Sequence, residues 1–138
     1  MDKQKTIQKE FTLSGLGLHT ANKVKITFKP AEENSGISFV RNDVAGNLPI
    51  KADASYLLAY DRSPRRTSIG KGEVEIHTIE HLMAALCGLG IDNIIIEIDD
   101  KEIPGLDGSS LSFLEALNKA GIKELNADKH YFSIREPI

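Results

Sequence analysis

A chain of 138 residues with 17 basic and 20 acidic side chains, a formal net charge of −3 and one cysteine has the size of a single domain. That mixed, mildly acidic charge leaves no footprint for nonspecific nucleic-acid binding, and a lone Cys87 excludes an internal disulfide and fits a reducing compartment. No apolar run reaches the length of a bilayer span and the first residues lack the apolar core of a signal peptide, so the expectation is one cytoplasmic domain over residues 1–138, to which any lipid substrate must come.

Ile7, Lys9, Phe11 and Leu13 alternate with polar residues, as do Val24, Ile26 and Phe28, which predicts two half-buried antiparallel strands around the turn-rich segment Ser14 to Thr20. Gly15 and Gly17 are not a nucleotide fingerprint, because no third glycine at the required spacing opens a helix. After a polar loop from Pro30 to Gly36, Ile37 to Arg41 reads as a third strand and Ile50 to Ala52 as a fourth. From Asp53 to Arg66 the pattern is ambiguous: Tyr56 to Tyr60 suits a short helix or a strand, and Ser63-Pro64 marks a turn. Arg62, Arg65 and Arg66 form a basic cluster that either meets a phosphate or lies solvated in a loop. A hairpin follows, with Arg66 to Ile69 and Glu73 to Ile76 flanking Gly70-Lys71-Gly72.

The strongest helix pattern comes next. Ile79, Leu82, Met83, Leu86 and Leu89 make one apolar stripe, with Thr78 as the expected cap and Gly90 as the end. The opposite face carries Glu80, His81, Ala84, Ala85 and Gly88, where an ordinary surface helix carries long polar side chains, so a second body is expected to pack there. Ile94 to Ile98 is a β-branched run that predicts a central strand. A tight loop through Pro104, Gly105, Asp107 and Gly108 leads to Ser109 or Ser110 as cap of a second helix, striped by Leu111, Phe113, Leu114, Leu117 and Ala120 and ended by a left-handed Gly121. Tyr131 to Arg135 reads as a last strand. The element order predicts an α+β domain, a largely antiparallel sheet with two helices on one face.

Glu80 beside His81 suggests metal-assisted hydrolysis, in which the imidazole ligates zinc and the carboxylate takes a proton from the attacking water. Each also has an ordinary reading: a first-turn carboxylate is favoured by the helix dipole, and a lone His is commonly a hydrogen-bonded core residue. Position 85 is Ala, so this is not a His-Glu-x-x-His helix; His77, four residues before His81, shares its face only if the helix reaches back past the expected cap.

Three stretches taken together, Ser14-Gly15-Leu16-Gly17-Leu18-His19-Thr20, Thr78-Ile79-Glu80-His81-Leu82 with Gly88-Leu89-Gly90-Ile91-Asp92-Asn93, and Glu102-Ile103-Pro104-Gly105-Leu106-Asp107-Gly108-Ser109, resemble the N-terminal half of the UDP-3-O-acyl-N-acetylglucosamine deacetylases of lipid A biosynthesis. The resemblance extends over nearly the whole chain and is close to the forms fused to a 3-hydroxyacyl-carrier-protein dehydratase. It implies a zinc amidase in which Glu80 is the general base, His81 one zinc ligand, and Thr67 and Ser68 lie at the substrate. It also implies that the remaining ligands, a His and an Asp, come from a C-terminal half with a similar α+β fold, the active site lying between the halves. Without that half the fragment is expected to be inactive, and the alternative is a catalytically silent half-domain that binds a partner through the Ala/Gly helix face. Two departures stand out: Ala21 occupies a position where the family usually has Gly, a mild change only if the backbone there avoids positive φ, and the segment Asp61 to Arg66 is longer and more basic than the resemblance leads one to expect. His19 is expected to play a structural hydrogen-bonding role.

Overall fold

The computed structural model describes residues 2–46 and 48–136. In chain order these form β1 (Lys3–Ile7), β2 (Phe11–Leu16), β3 (Lys23–Pro30), β4 (Ile37–Arg41), β5 (Ile50–Lys51), a 3-10 turn (Ala54–Tyr56), β6 (Ser68–Lys71), β7 (Val74–His77), α1 (Glu80–Leu89), β8 (Ile94–Ile98), α2 (Leu111–Ala120) and β9 (Ile122–Asp128). Five strands make the main sheet in the order β2-β3-β8-β4-β5, flanked by the two-stranded pairs β1-β9 and β6-β7.

Period-two alternation gives the main sheet two unlike faces. Val24, Ile26 and Phe28 of β3, Phe39 of β4 and Ile94, Ile96 and Ile98 of β8 are buried on one side, where Phe11 stacks on Phe28 with ring centroids 4.5 Å apart. The other side carries the Thr12–Thr27 hydroxyl pair and the Lys29–Glu97 ion pair at 2.7 Å. Leu82, Ala85 and Leu86 of α1 and Phe113 and Leu117 of α2 join the apolar face in one continuous core. Each fully buried Ile, Leu or Phe contributes about 1.5–3 kcal/mol, so a one-residue slip of β3 or β8, which would turn its apolar set into water, is strongly disfavoured. The α+β class with both helices on one face is therefore as expected.

Several elements differ from expectation. The strand expected across Ile7 to Leu13 is two: the chain turns at Gln8 to Glu10, because Lys9 falls where alternation demands an apolar side chain and is exposed instead. β8 is central, but its β4 neighbour runs parallel to it, the one parallel pairing among the described strands. In the hairpin the turn is Gly72-Glu73 rather than Gly70 to Gly72, since Lys71 pairs with Val74 and Gly72 supplies the left-handed φ of +61° that a two-residue turn needs. Ser110 stands at the N-cap of α2 without a side-chain cap hydrogen bond, while Ser109 Oγ accepts from the Leu111 amide at 3.0 Å. Leu111 itself is 54% exposed and lies outside the core stripe. Gly121 has positive φ (+83°) but an extended ψ of 146°, so it exits toward a strand rather than a left-handed cap. The last strand is β9, not Tyr131 to Arg135: β9 pairs with β1, whereas Tyr131, Phe132 and Ile134 are exposed.

Candidate functional site

Three segments distant in sequence meet where β7 passes into α1. The residue that ends β7, His77, is clamped by the Lys101–Ile103 segment: its amide donates to the Lys101 carbonyl at 2.8 Å and its carbonyl accepts from the Ile103 amide at 3.3 Å. Thr78 then adopts φ +62°, a left-handed conformation that is strained for a β-branched residue by about 1–3 kcal/mol. It is not the helix cap expected from its position. Its buried hydroxyl instead donates to Glu102 Oε1 at 2.7 Å, while the Ile79 amide donates to the Thr67 carbonyl at 3.2 Å. Within two residues the chain has gone from strand to helix.

This sharp entry sets the first turn of α1. Glu80 is half-buried, and its Oε2 accepts from the Thr67 amide at 3.0 Å; its Oε1 has no hydrogen bond among the described residues. His81 is half-buried beside it, and among the described residues no side chain hydrogen-bonds its ring. Further along, Ala84, Cys87 and Gly88 are exposed, whereas Ala85 is 1% exposed and belongs to the core side rather than to the outer face.

His77 does not share the face of His81. It is a strand residue, 3% exposed, whose Nδ1 lies 2.8 Å from Ser68 Oγ and whose Nε2 lies 3.3 Å from Glu75 Oε2. Burial and the nearby Arg66 guanidinium hold its pKa below the ordinary histidine value against the opposing pull of Glu75, so the neutral ring is favoured. Among the described residues, no group of three or more His, Cys, Asp or Glu is arranged to hold a metal.

Ser68 is buried with its hydroxyl on His77, while Thr67 is half-buried and touches Glu80 through its backbone. The arginines do not act as one cluster. Arg62 pairs with Glu75, Arg65 is exposed, and Arg66 has a buried Nε without a partner.

The charge that sequence reasoning passed over is Glu102. It is 0% exposed. Besides the Thr78 hydroxyl, its carboxylate accepts from the Thr20 amide at 2.8 Å and the His19 amide at 3.1 Å. Burial pushes its pKa up, but the Thr78 hydroxyl and the Thr20 and His19 amides outweigh that and leave it below the usual carboxylate value. His19 thus takes part through its backbone, its side chain being on an exposed residue. Gly17 permits the close approach: a Cβ there would sit 2.5 Å from Glu102 Oε2. Ala21, which closes this turn by donating to the Gly17 carbonyl at 3.0 Å, has φ +56°. The condition set for Ala21 to be a mild change, a backbone that avoids positive φ, is therefore not met.

Against known families, residues 4–138 match the model described as UDP-3-O-acyl N-acetylglycosamine deacetylase. Among curated relatives, the chain is 47% identical over 135 residues to the bifunctional enzyme LpxC/FabZ of Chlorobaculum tepidum, covering 98% of this chain and 28% of that protein. It is 45% identical over 136 residues to the UDP-3-O-acyl-N-acetylglucosamine deacetylase of Shewanella baltica strain OS155, covering 98% of this chain and 44% of the relative. To that of Citrifermentans bemidjiense it is 42% identical over 135 residues, covering 98% and 43% respectively. The chain thus spans less than half the length of these relatives. Among the described residues, no helix is long and apolar enough to cross a membrane.

Proposed function

This chain belongs to the UDP-3-O-acyl N-acetylglycosamine deacetylase family, and from that premise we propose that it supplies the general base and one zinc ligand for hydrolysis of the acetamido group of UDP-3-O-acyl-N-acetylglucosamine. Acetate is the released product, and the reaction serves lipid A biosynthesis in the cytoplasm. The observation that carries this reading is the first turn of α1, where Glu80 and His81 stand side by side with Glu80 Oε1 and the His81 ring uncommitted among the described residues.

A half-buried imidazole without a hydrogen-bond partner among the described residues suits a metal, and a catalytic zinc takes three protein ligands with one position open. His81 fits as a single donor, the others coming from the C-terminal half that the relatives possess and this chain does not span. Zinc, when bound, supplies a Lewis acid that polarises the amide carbonyl and acidifies water. Glu80 receives the proton of the attacking water on Oε1, while the Thr67 amide on Oε2 keeps the carboxylate plane from turning away. Of the two residues expected at the substrate, Thr67 is half-buried with its amide on Glu80, whereas the buried Ser68 hydroxyl bonds to His77 instead. Exposed Ala84, Cys87 and Gly88 on the outer face of α1 suit cover by the second half.

In the catalytically active form that contains this chain, Glu80→Ala should cut turnover by about 10²–10⁴-fold with zinc retained, and His81→Ala should lose zinc on dialysis. Near-normal turnover rejects Glu80 as base, and unchanged zinc content removes His81 from the ligand set. Absence of acetate release by the unmutated chain in the presence of the second half favours the silent, partner-binding reading instead.

A further inference from the structure

We propose that Glu102 is a positioning residue for this reaction, holding Thr78 in its left-handed conformation and thereby aiming Glu80 and His81. The reaction itself rests on the reading above.

Glu102 cannot touch substrate, being 0% exposed. It acts through what it holds. One oxygen takes the Thr78 hydroxyl at 2.7 Å, and the carboxylate is itself immobilised by the Thr20 amide at 2.8 Å and the His19 amide at 3.1 Å. No other hydrogen bond holds the Thr78 side chain among the described residues. Thr78 sits at φ +62°, two residues before Glu80, so a change in its backbone angles swings the first turn of α1 relative to Thr67, whose amide seats Glu80 at 3.0 Å. A β-branched residue leaves that conformation unless its surroundings hold it there. All the donors aimed at Glu102 are hydrogen donors, so a carboxylate satisfies them where an amide of the same shape presents its own NH₂ to one of them. Misplacing reacting groups by about 1 Å costs about 10²-fold in rate, which sets the size of the effect.

The test compares Glu102→Gln, Thr78→Val and Thr78→Ser in the catalytically active form. Glu102→Gln and Thr78→Val should each lower kcat by about 10–100-fold with KM changed less than about threefold, and Thr78→Ser, which keeps the hydroxyl, should stay within about threefold of the parent. Thr78→Val leaves the His19 and Thr20 bonds in place, so it decides the matter where Glu102→Gln fails to fold. Equal kcat for Thr78→Val and Thr78→Ser overturns the proposal, as does a folded Glu102→Gln with normal kcat. Hydrogen exchange of the Thr67 amide gives a readout independent of turnover: it should quicken at least tenfold in Thr78→Val and not in Thr78→Ser, and equal protection in both refutes the link. That arm still reports on Glu102 if Glu80→Ala shows Glu80 not to be the base.

Discussion

Replacing Ala21 by glycine removes one methyl group from a backbone held at φ +56°. The left-handed conformation costs an L-residue with a Cβ about 1–2 kcal/mol. Glycine escapes that cost but returns about 0.4–1 kcal/mol through the greater freedom of its unfolded chain. Ala21 is exposed, so no packing is lost, and its one described hydrogen bond, to the Gly17 carbonyl at 3.0 Å, is made by the backbone and survives. The net expectation is a gain of about 0.5–1 kcal/mol, or about 2–5 °C in thermal midpoint for a domain of this size. Urea titration of the parent and Ala21→Gly chains measures it directly, with an unchanged slope required so that the difference reports stability alone. A variant equal to or less stable than the parent would refute the strain assigned to this turn.

Acid should weaken the fold in two stages. Because the folded pKa of His77 is lowered, its contribution is present above the unfolded value of about 6.5 and is lost as pH falls through the lowered folded value; Glu102, also lowered, acts the same way from about 4.3 downward. In His77→Gln the urea midpoint should be lower at pH 7 but flat between about pH 7 and pH 5.5, and a parent midpoint that is already flat there would contradict the assignment. Gly17→Ala places a Cβ 2.5 Å from Glu102 Oε2 and should destabilise the domain by about 1–3 kcal/mol, measured in the same titration; a neutral result would mean that the turn yields without strain.

Local pattern made the helices and the inner strands legible. The stripe of Leu82 and Leu86, the run Ile94 to Ile98 and the alternation of Val24, Ile26 and Phe28 each announce a buried face without knowledge of any partner. β9 was not legible, because Ile-Lys-Glu-Leu-Asn-Ala-Asp has no clean period of two and is a strand only through its pairing with β1. The candidate site divides in the same way. Glu80 and His81 stand out in sequence by adjacency and by the small residues that follow them. Glu102 ends the charged run Asp99-Asp100-Lys101-Glu102, where no local pattern marks one carboxylate for burial, and Thr78 before a helix reads as a cap. What makes one a buried anchor and the other a strained turn is a contact between residues 24 apart, which no periodicity encodes.

The pairing of β1 with β9 has a consequence for synthesis. Lys3 meets Asp128 across 125 residues, so at about 5–20 residues per second β1 waits roughly 6–25 seconds on the ribosome before its partner strand exists. Throughout that interval the edge that β9 later covers lacks its partner and is open to pairing with any nascent neighbour. Gln4 and Lys5 also bond to Asn34, Asp92 and Asn93, all of which are synthesised before β9. Those polar groups are therefore the partners the amino-terminal strand can meet first during translation.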